Sequence, residues 1–176
     1  MRVVALDPGK SNFAAAVVEN RRVVETRYLE PLKSLKWDDF NESLRAFRDS
    51  YFKYISEVEP DCVVAERFMA RPGGGMRKGA VGEFVNLQLG MISMVNASKG
   101  IPTHLVTPAQ WKNYLQKRYG KVDNFKHHFP HLSVHESDAL AIAIYAIEME
   151  QPDERGRLLK YMKRLKRYPH VGKVPK

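Results

Sequence analysis

The sequence predicts an α/β fold: a mixed five-stranded sheet, in which an antiparallel three-strand meander is followed by parallel strands, with helices on both faces. Two observations carry this. The first 30 residues hold three strand-like runs, with turn chemistry between the first two. After them, helical and strand-like patterns alternate to about residue 148. At 176 residues the chain is about one domain long. That domain is placed at 1–150, with a basic C-terminal helix and tail at 151–176.

Each element has its own signal. Arg2 to Asp7 carries Val3, Val4, Ala5 and Leu6 in a row and ends at Pro8-Gly9. Pro8-Gly9-Lys10-Ser11 has hairpin chemistry, and Asn12 to Glu19 resumes with Phe13, three alanines and Val17-Val18. Arg22 to Leu29 alternates, giving the third strand. From Trp37 to Val58, apolar residues recur at spacings of three and four, which is helical. Glu59-Pro60-Asp61 stops that helix. Cys62 to Ala65 is a short buried strand ending at Glu66. Arg71 to Gly82 reads as a basic, glycine-rich loop. Glu83 to Ser98 is an apolar helix, Thr103 to Val106 a short strand. Thr107 then caps a helix with Pro108 at its first position. Val134 to Glu148 is a helix rich in alanine and isoleucine, apolar on most sides.

Composition excludes several classes. Apolar residues make up 44% and charged residues 28%, ordinary for a globular domain. No run of 18 apolar residues occurs, so no membrane span is expected. The N-terminus enters a strand pattern at once, which leaves no room for a secretory signal. The single cysteine, Cys62, forbids an internal disulfide and fits a reducing, cytoplasmic setting. The formal charge of +9 favours a polyanionic partner, nucleic acid first and anionic membrane second. From Asp153 onward, nine Lys/Arg against Asp153 and Glu154 give +7, which leaves +2 for the other 152 residues. The body is nearly neutral and the tail is a cationic arm.

The acids point to chemistry. Asp7 and Glu66 each end an apolar strand, and Asp138 lies near the start of an apolar helix. A carboxylate at such a position is costly unless paired or metal-bound. Three converging at one sheet end form an oxygen-rich site suited to Mg²⁺ or Mn²⁺. His135 and Asp138, three apart, share a helix face. Two divalent ions about 4 Å apart can activate a water on one side of a phosphodiester and stabilise the leaving oxygen on the other. Blander readings stand beside this one. Asp7 before Pro-Gly is also a turn residue, and Glu136 and Asp138 are also acids favoured by a helix N-terminus.

Leu6-Asp7-Pro8-Gly9, Ala65-Glu66-Arg67-Phe68-Met69-Ala70 and His135-x-x-Asp138-Ala139-Leu140-Ala141 resemble the three acidic motifs of RuvC-type Holliday junction resolvases. They occur in the same order and at similar separations, over roughly residues 1 to 148. The resemblance implies an RNase H-like fold. It implies a homodimeric endonuclease using two Mg²⁺ ions, replaceable by Mn²⁺, that nicks branched DNA and leaves 5′-phosphate and 3′-hydroxyl ends. Asp7, Glu66, His135 and Asp138 become metal ligands, and Glu136 either replaces or assists His135. Thr107-Pro108-Ala109-Gln110-Trp111-Lys112 resembles the segment that carries a catalytic cation, which makes Lys112 the candidate. Lys121 is a weaker match for a second.

Further residues are expected to face DNA. Arg67, Arg71, Arg77 and Lys78 flank the glycines and can follow a phosphate backbone. Phe68 or Met69 can stack at the junction centre, and Lys160, Lys163, Arg164, Lys166 and Arg167 can grip its arms. A bacteriophage member, acting in a bacterial cell or an infected host, fits the compact size. The rivals are an RNase H-like nuclease acting on other branched DNA or RNA–DNA hybrid, and a non-catalytic junction- or RNA-binding protein. An ATPase of the wider fold would need a second nucleotide-binding lobe.

Overall fold

The computed structural model describes residues 1–68, 76–120 and 125–150. Strands β1 (Arg2–Asp7), β2 (Phe13–Glu19) and β3 (Arg22–Leu29) form the meander. Helix α1 (Phe40–Val58) follows, entered through a 3₁₀ turn at Trp37–Asp39. Then come β4 (Cys62–Glu66), α2 (Met76–Ser98), β5 (Thr103–Val106), α3 (Pro108–Tyr119) and α4 (Val134–Glu150). The five strands lie in the order β3-β2-β1-β4-β5. β1 is antiparallel to β2 and parallel to β4, and β4 is parallel to β5. The predicted mixed sheet is therefore the observed one.

Strand parity divides the core. Val3, Ala5 and Val64 face α3 and α4, among Trp111, Leu115, Leu140 and Ile144. Val4, Leu6, Val63 and Ala65 face α1 and α2, among Phe47, Tyr51, Ile55 and Ile92. β1 and β2 are buried on both sides, which explains their unbroken apolar runs. β3, at an edge, keeps polar residues between its apolar ones.

The helix ends follow their local chemistry. Glu59 turns left-handed at φ 48° and returns its N–H to the Ile55 carbonyl, and Pro60 then prevents continuation. Thr107 accepts from the Gln110 N–H while the Gln110 side chain accepts from the Thr107 N–H, a reciprocal cap with Pro108 beside it. α4 starts beside the end of β1 and runs back along the sheet. Its last turns flank the beginning of the chain, where Tyr145 and Met149 line a shallow cleft with Met1, Cys62 and His104.

One boundary differs from expectation. The loop predicted to run from Arg71 to Gly82 is helical from Met76 onward. Glycines lower helix propensity, but packing overrides it here. A Cβ on Gly82 would lie 2.5 Å from the Phe68 ring, so this glycine serves close approach rather than flexibility. Gly90, in the same helix, has nothing within 4 Å of such a Cβ. Gly82→Ala should therefore displace Phe68 and lower stability by about 1 kcal/mol. Gly90→Ala should raise it by about 1 kcal/mol. Thermal melts of the two variants would show opposite signs.

Candidate active site

The register of two neighbouring strands builds the centre of the site. β1 and β4 pair Leu6 with Ala65, so Asp7 and Glu66 come next, side by side. By parity both carboxylates turn to the α3/α4 face. The start of α4 lies over this sheet end and brings His135 and Asp138. The start of α3 brings Trp111 and Lys112.

The contacts are specific. His135 Nδ1 is 2.8 Å from Asp7 Oδ2. The Trp111 indole N–H donates to Glu66 Oε2 at 2.6 Å. Lys112 Nζ stands 3.6 Å from Asp138 Oδ2 and 4.7 Å above the Trp111 ring. Asp7 and Asp138 side chains are 14% and 17% exposed, against 40% for His135 and 42% for Lys112. The acids form the floor, and the histidine and lysine form the mouth.

Burial dominates the electrostatics. It raises the Asp7 carboxyl above its usual range, against the pull of His135 and Lys112. It raises Asp138 likewise, with Lys112 opposing and Asp7 reinforcing. Glu66 is pushed up to about 7: burial is the main cause, the Trp111 hydrogen bond opposes it, and the charges of Asp7 and Asp138 add to it. Burial holds all three carboxyls back from ionising, and neighbouring acids add to the effect at Glu66 and Asp138; such a set suits a hard divalent cation. The geometry is not a closed cage. Two of the acids are paired with His135 and Lys112, and among the described residues no three His, Cys, Asp or Glu side chains gather about one point.

Glu136 lies elsewhere. Its Oε2 accepts from the Ser133 N–H at 3.1 Å and hydroxyl at 2.7 Å, and its own N–H reaches Ser133 Oγ at 3.2 Å. Thr26 and Tyr28 of β3 hydrogen-bond to Glu136 and Ser133. Glu136 thus caps α4 and ties its start to the sheet. Arg67 is exposed, and its N–H extends the β4–β5 ladder to the Val106 carbonyl. Phe68 is half-buried against α2. Arg77 and Lys78 fall in the first turn of α2, their side chains outside the described residues. Met69, Arg71, Lys121, Lys160, Lys163, Arg164, Lys166 and Arg167 also lie outside the described residues. Trp111 was not singled out from sequence. The available signal was that a buried indole needs a partner for its N–H.

No protein-family model matches the chain, and no curated protein matches it in sequence. Solved structures do resemble it. The RuvC of Thermus thermophilus in complex with a Holliday junction substrate is 21% identical, with a TM-score of 0.63 over 86% of this chain and 95% of that one. A second Thermus thermophilus RuvC structure is 21% identical, with a TM-score of 0.59 over 85% and 96%. The yeast mitochondrial Holliday junction resolvase Ydc2 is 16% identical, with a TM-score of 0.54 over 96% and 81%. The fold is therefore that of RuvC-type resolvases, an RNase H-like mixed sheet with helices on both faces.

The Glu66 shift carries a pH signature. An unfolded glutamate ionises near 4.5, whereas folded Glu66 keeps its proton up to about 7. Between those values the folded state binds more protons, so this group makes metal-free stability fall as pH rises. Above about 7 the penalty is complete. In metal-free protein at pH 8, Glu66→Gln should be more stable than wild type by about 1–2 kcal/mol, allowing for solvent screening. The difference should close by pH 4, as followed by denaturant titration.

Proposed function

We propose that this protein is a divalent-metal-dependent endonuclease that resolves four-way DNA junctions. The observation carrying this reading is the convergence of Asp7, Glu66 and Asp138, from three distant segments, at one end of a RuvC-type sheet. Likeness to resolvases, one of them in complex with a Holliday junction substrate, supports the choice of DNA.

Asp7, Glu66, Asp138 and His135 would hold Mg²⁺ or Mn²⁺. When bound, two such ions supply an activated water and stabilise the leaving 3′-oxygen, giving 5′-phosphate and 3′-hydroxyl ends. The residues of the chain prepare the site. Trp111 holds Glu66 in one orientation through its indole N–H. As ligands, Asp7 and Asp138 would no longer be paired with His135 and Lys112. Lys112, at the solvent mouth, would be free to face the phosphate and stabilise its developing negative charge. Arg67, exposed just past β4, and the basic residues after Asp153 would contact the backbone, adding affinity that falls with salt.

Paired nicks on opposite strands require two sites. A homodimer through the outer face of α2 would supply them: Gly90 and Met94 are exposed there. A second reading is a junction-binding protein without catalysis. The pairing of His135 with Asp7 and of Lys112 with Asp138, in place of a ligand cage, favours it.

A labelled four-way junction, incubated with and without Mg²⁺ beside linear duplex, separates the two. Metal-dependent paired nicks that ligase seals support the resolvase. Asp7→Asn and Glu66→Gln should each lower the rate by on the order of a thousandfold while leaving junction affinity within about threefold. Tight binding with no cleavage in Mg²⁺ or Mn²⁺ supports the binding protein. Within the same assay, His135→Ala should lose most activity. Glu136→Gln should keep it, because glutamine also completes the helix cap. The reverse pattern would make Glu136 the ligand.

A further inference from the structure

Away from α3 and α4, both acid-bearing strand ends rest on one helix, α2. Phe68, two residues past Glu66, lies so close to Gly82 that a Cβ there would come within 2.5 Å of its ring. Lys10, three residues past Asp7, holds its ammonium 4.7 Å from the Phe84 ring centre. One helical turn onward, the Gln88 amide donates to the Gly9 carbonyl at 3.2 Å. Gly9 closes its turn tightly, since a Cβ would fall 2.4 Å from the Asn12 carbonyl oxygen.

Packing alone does not explain Gln88. The side chain is 0% exposed. Only its NH₂ can donate to a carbonyl, so Oε1 must point elsewhere, and among the described residues it has no hydrogen-bond partner. Burying an unpaired acceptor is unfavourable, and methionine would fill a similar volume without it. The chain keeps a buried, half-satisfied amide whose bond goes to the carbonyl two residues after Asp7.

We infer that Gln88 is a positioning residue: its bond to Gly9 fixes the β1–β2 turn, and through it the carboxylate of Asp7 relative to Glu66. The inference rests on the metal-dependent reading of those two acids. Pro8 contributes no N–H to the turn, so a support from α2 restrains backbone that the ladder does not. Ligands of a reacting centre tolerate misplacement of only fractions of an ångström.

The test is Gln88→Met, which removes the bond and the unpaired acceptor together. The melting temperature of the metal-free protein should stay the same or rise. Amide hydrogen exchange should accelerate around the turn, at the ladder ends Asp7 and Ala14 that it closes, by about tenfold, with the remainder of the sheet unchanged. In Mg²⁺-dependent junction cleavage, kcat should fall by about tenfold to a hundredfold, with KM within about twofold. Unchanged exchange in the turn, or a variant that cleaves like wild type, overturns the inference. So does a parallel fall of melting temperature and activity, which marks a packing role. A wild-type protein that does not cleave overturns the functional reading instead, and exchange in the turn then decides the inference.

Discussion

Asp7 and Glu66 are neighbours because β1 and β4 run parallel in a register that pairs Leu6 with Ala65. A slip of one residue would turn one carboxylate to the α1/α2 face and bury it among aromatic rings. The apolar runs before each acid prevent such a slip, since every residue from Val3 to Leu6 is already committed to one of two cores. The hydrophobic pattern that holds the sheet together is thus also what aims the acids.

The other parts of the site serve that pair. α3 starts where its cap of Thr107 and Gln110 dictates, which lets Trp111 reach Glu66. α4 starts where Ser133 and Glu136 dictate, with β3 holding the cap, which sets His135 and Asp138 over the same end. Both helices are located by short polar caps, whereas their lengths are held by apolar packing. Burying three acids together works against folding in the absence of a cation. A domain with an apolar core on each face of its sheet can bear that cost.

Much of this was legible in the sequence. The strands could be read because buried runs were bounded by Pro8-Gly9, by Glu66 and by Thr107-Pro108, each with its own turn or cap chemistry. The three acids could be read because they broke apolar runs. The start of α2 could not, because three-dimensional contact of Gly82 with Phe68 reverses what glycine means locally. The partner of Trp111 could not either, since a hydrogen bond spanning 45 residues leaves no trace in spacing. Glu136 is the instructive case. Ser133-x-x-Glu136 is a capping-box signature present in the sequence, but next to His135 and Asp138 it was equally readable as a metal ligand.

The direction of α4 has a consequence for how charge is distributed in space. The helix begins over the acids and ends beside Met1, at the opposite pole of the sheet. Its 17 residues set those poles about 25 Å apart. The segment bearing +7 is therefore rooted one helix length from the carboxylates. That separation corresponds to about seven base pairs of duplex. If the proposed resolvase reading holds, cationic charge rooted there would hold an arm of the nucleic acid without crowding the strand at Asp7, and grip and reaction would occupy different stretches of the same backbone.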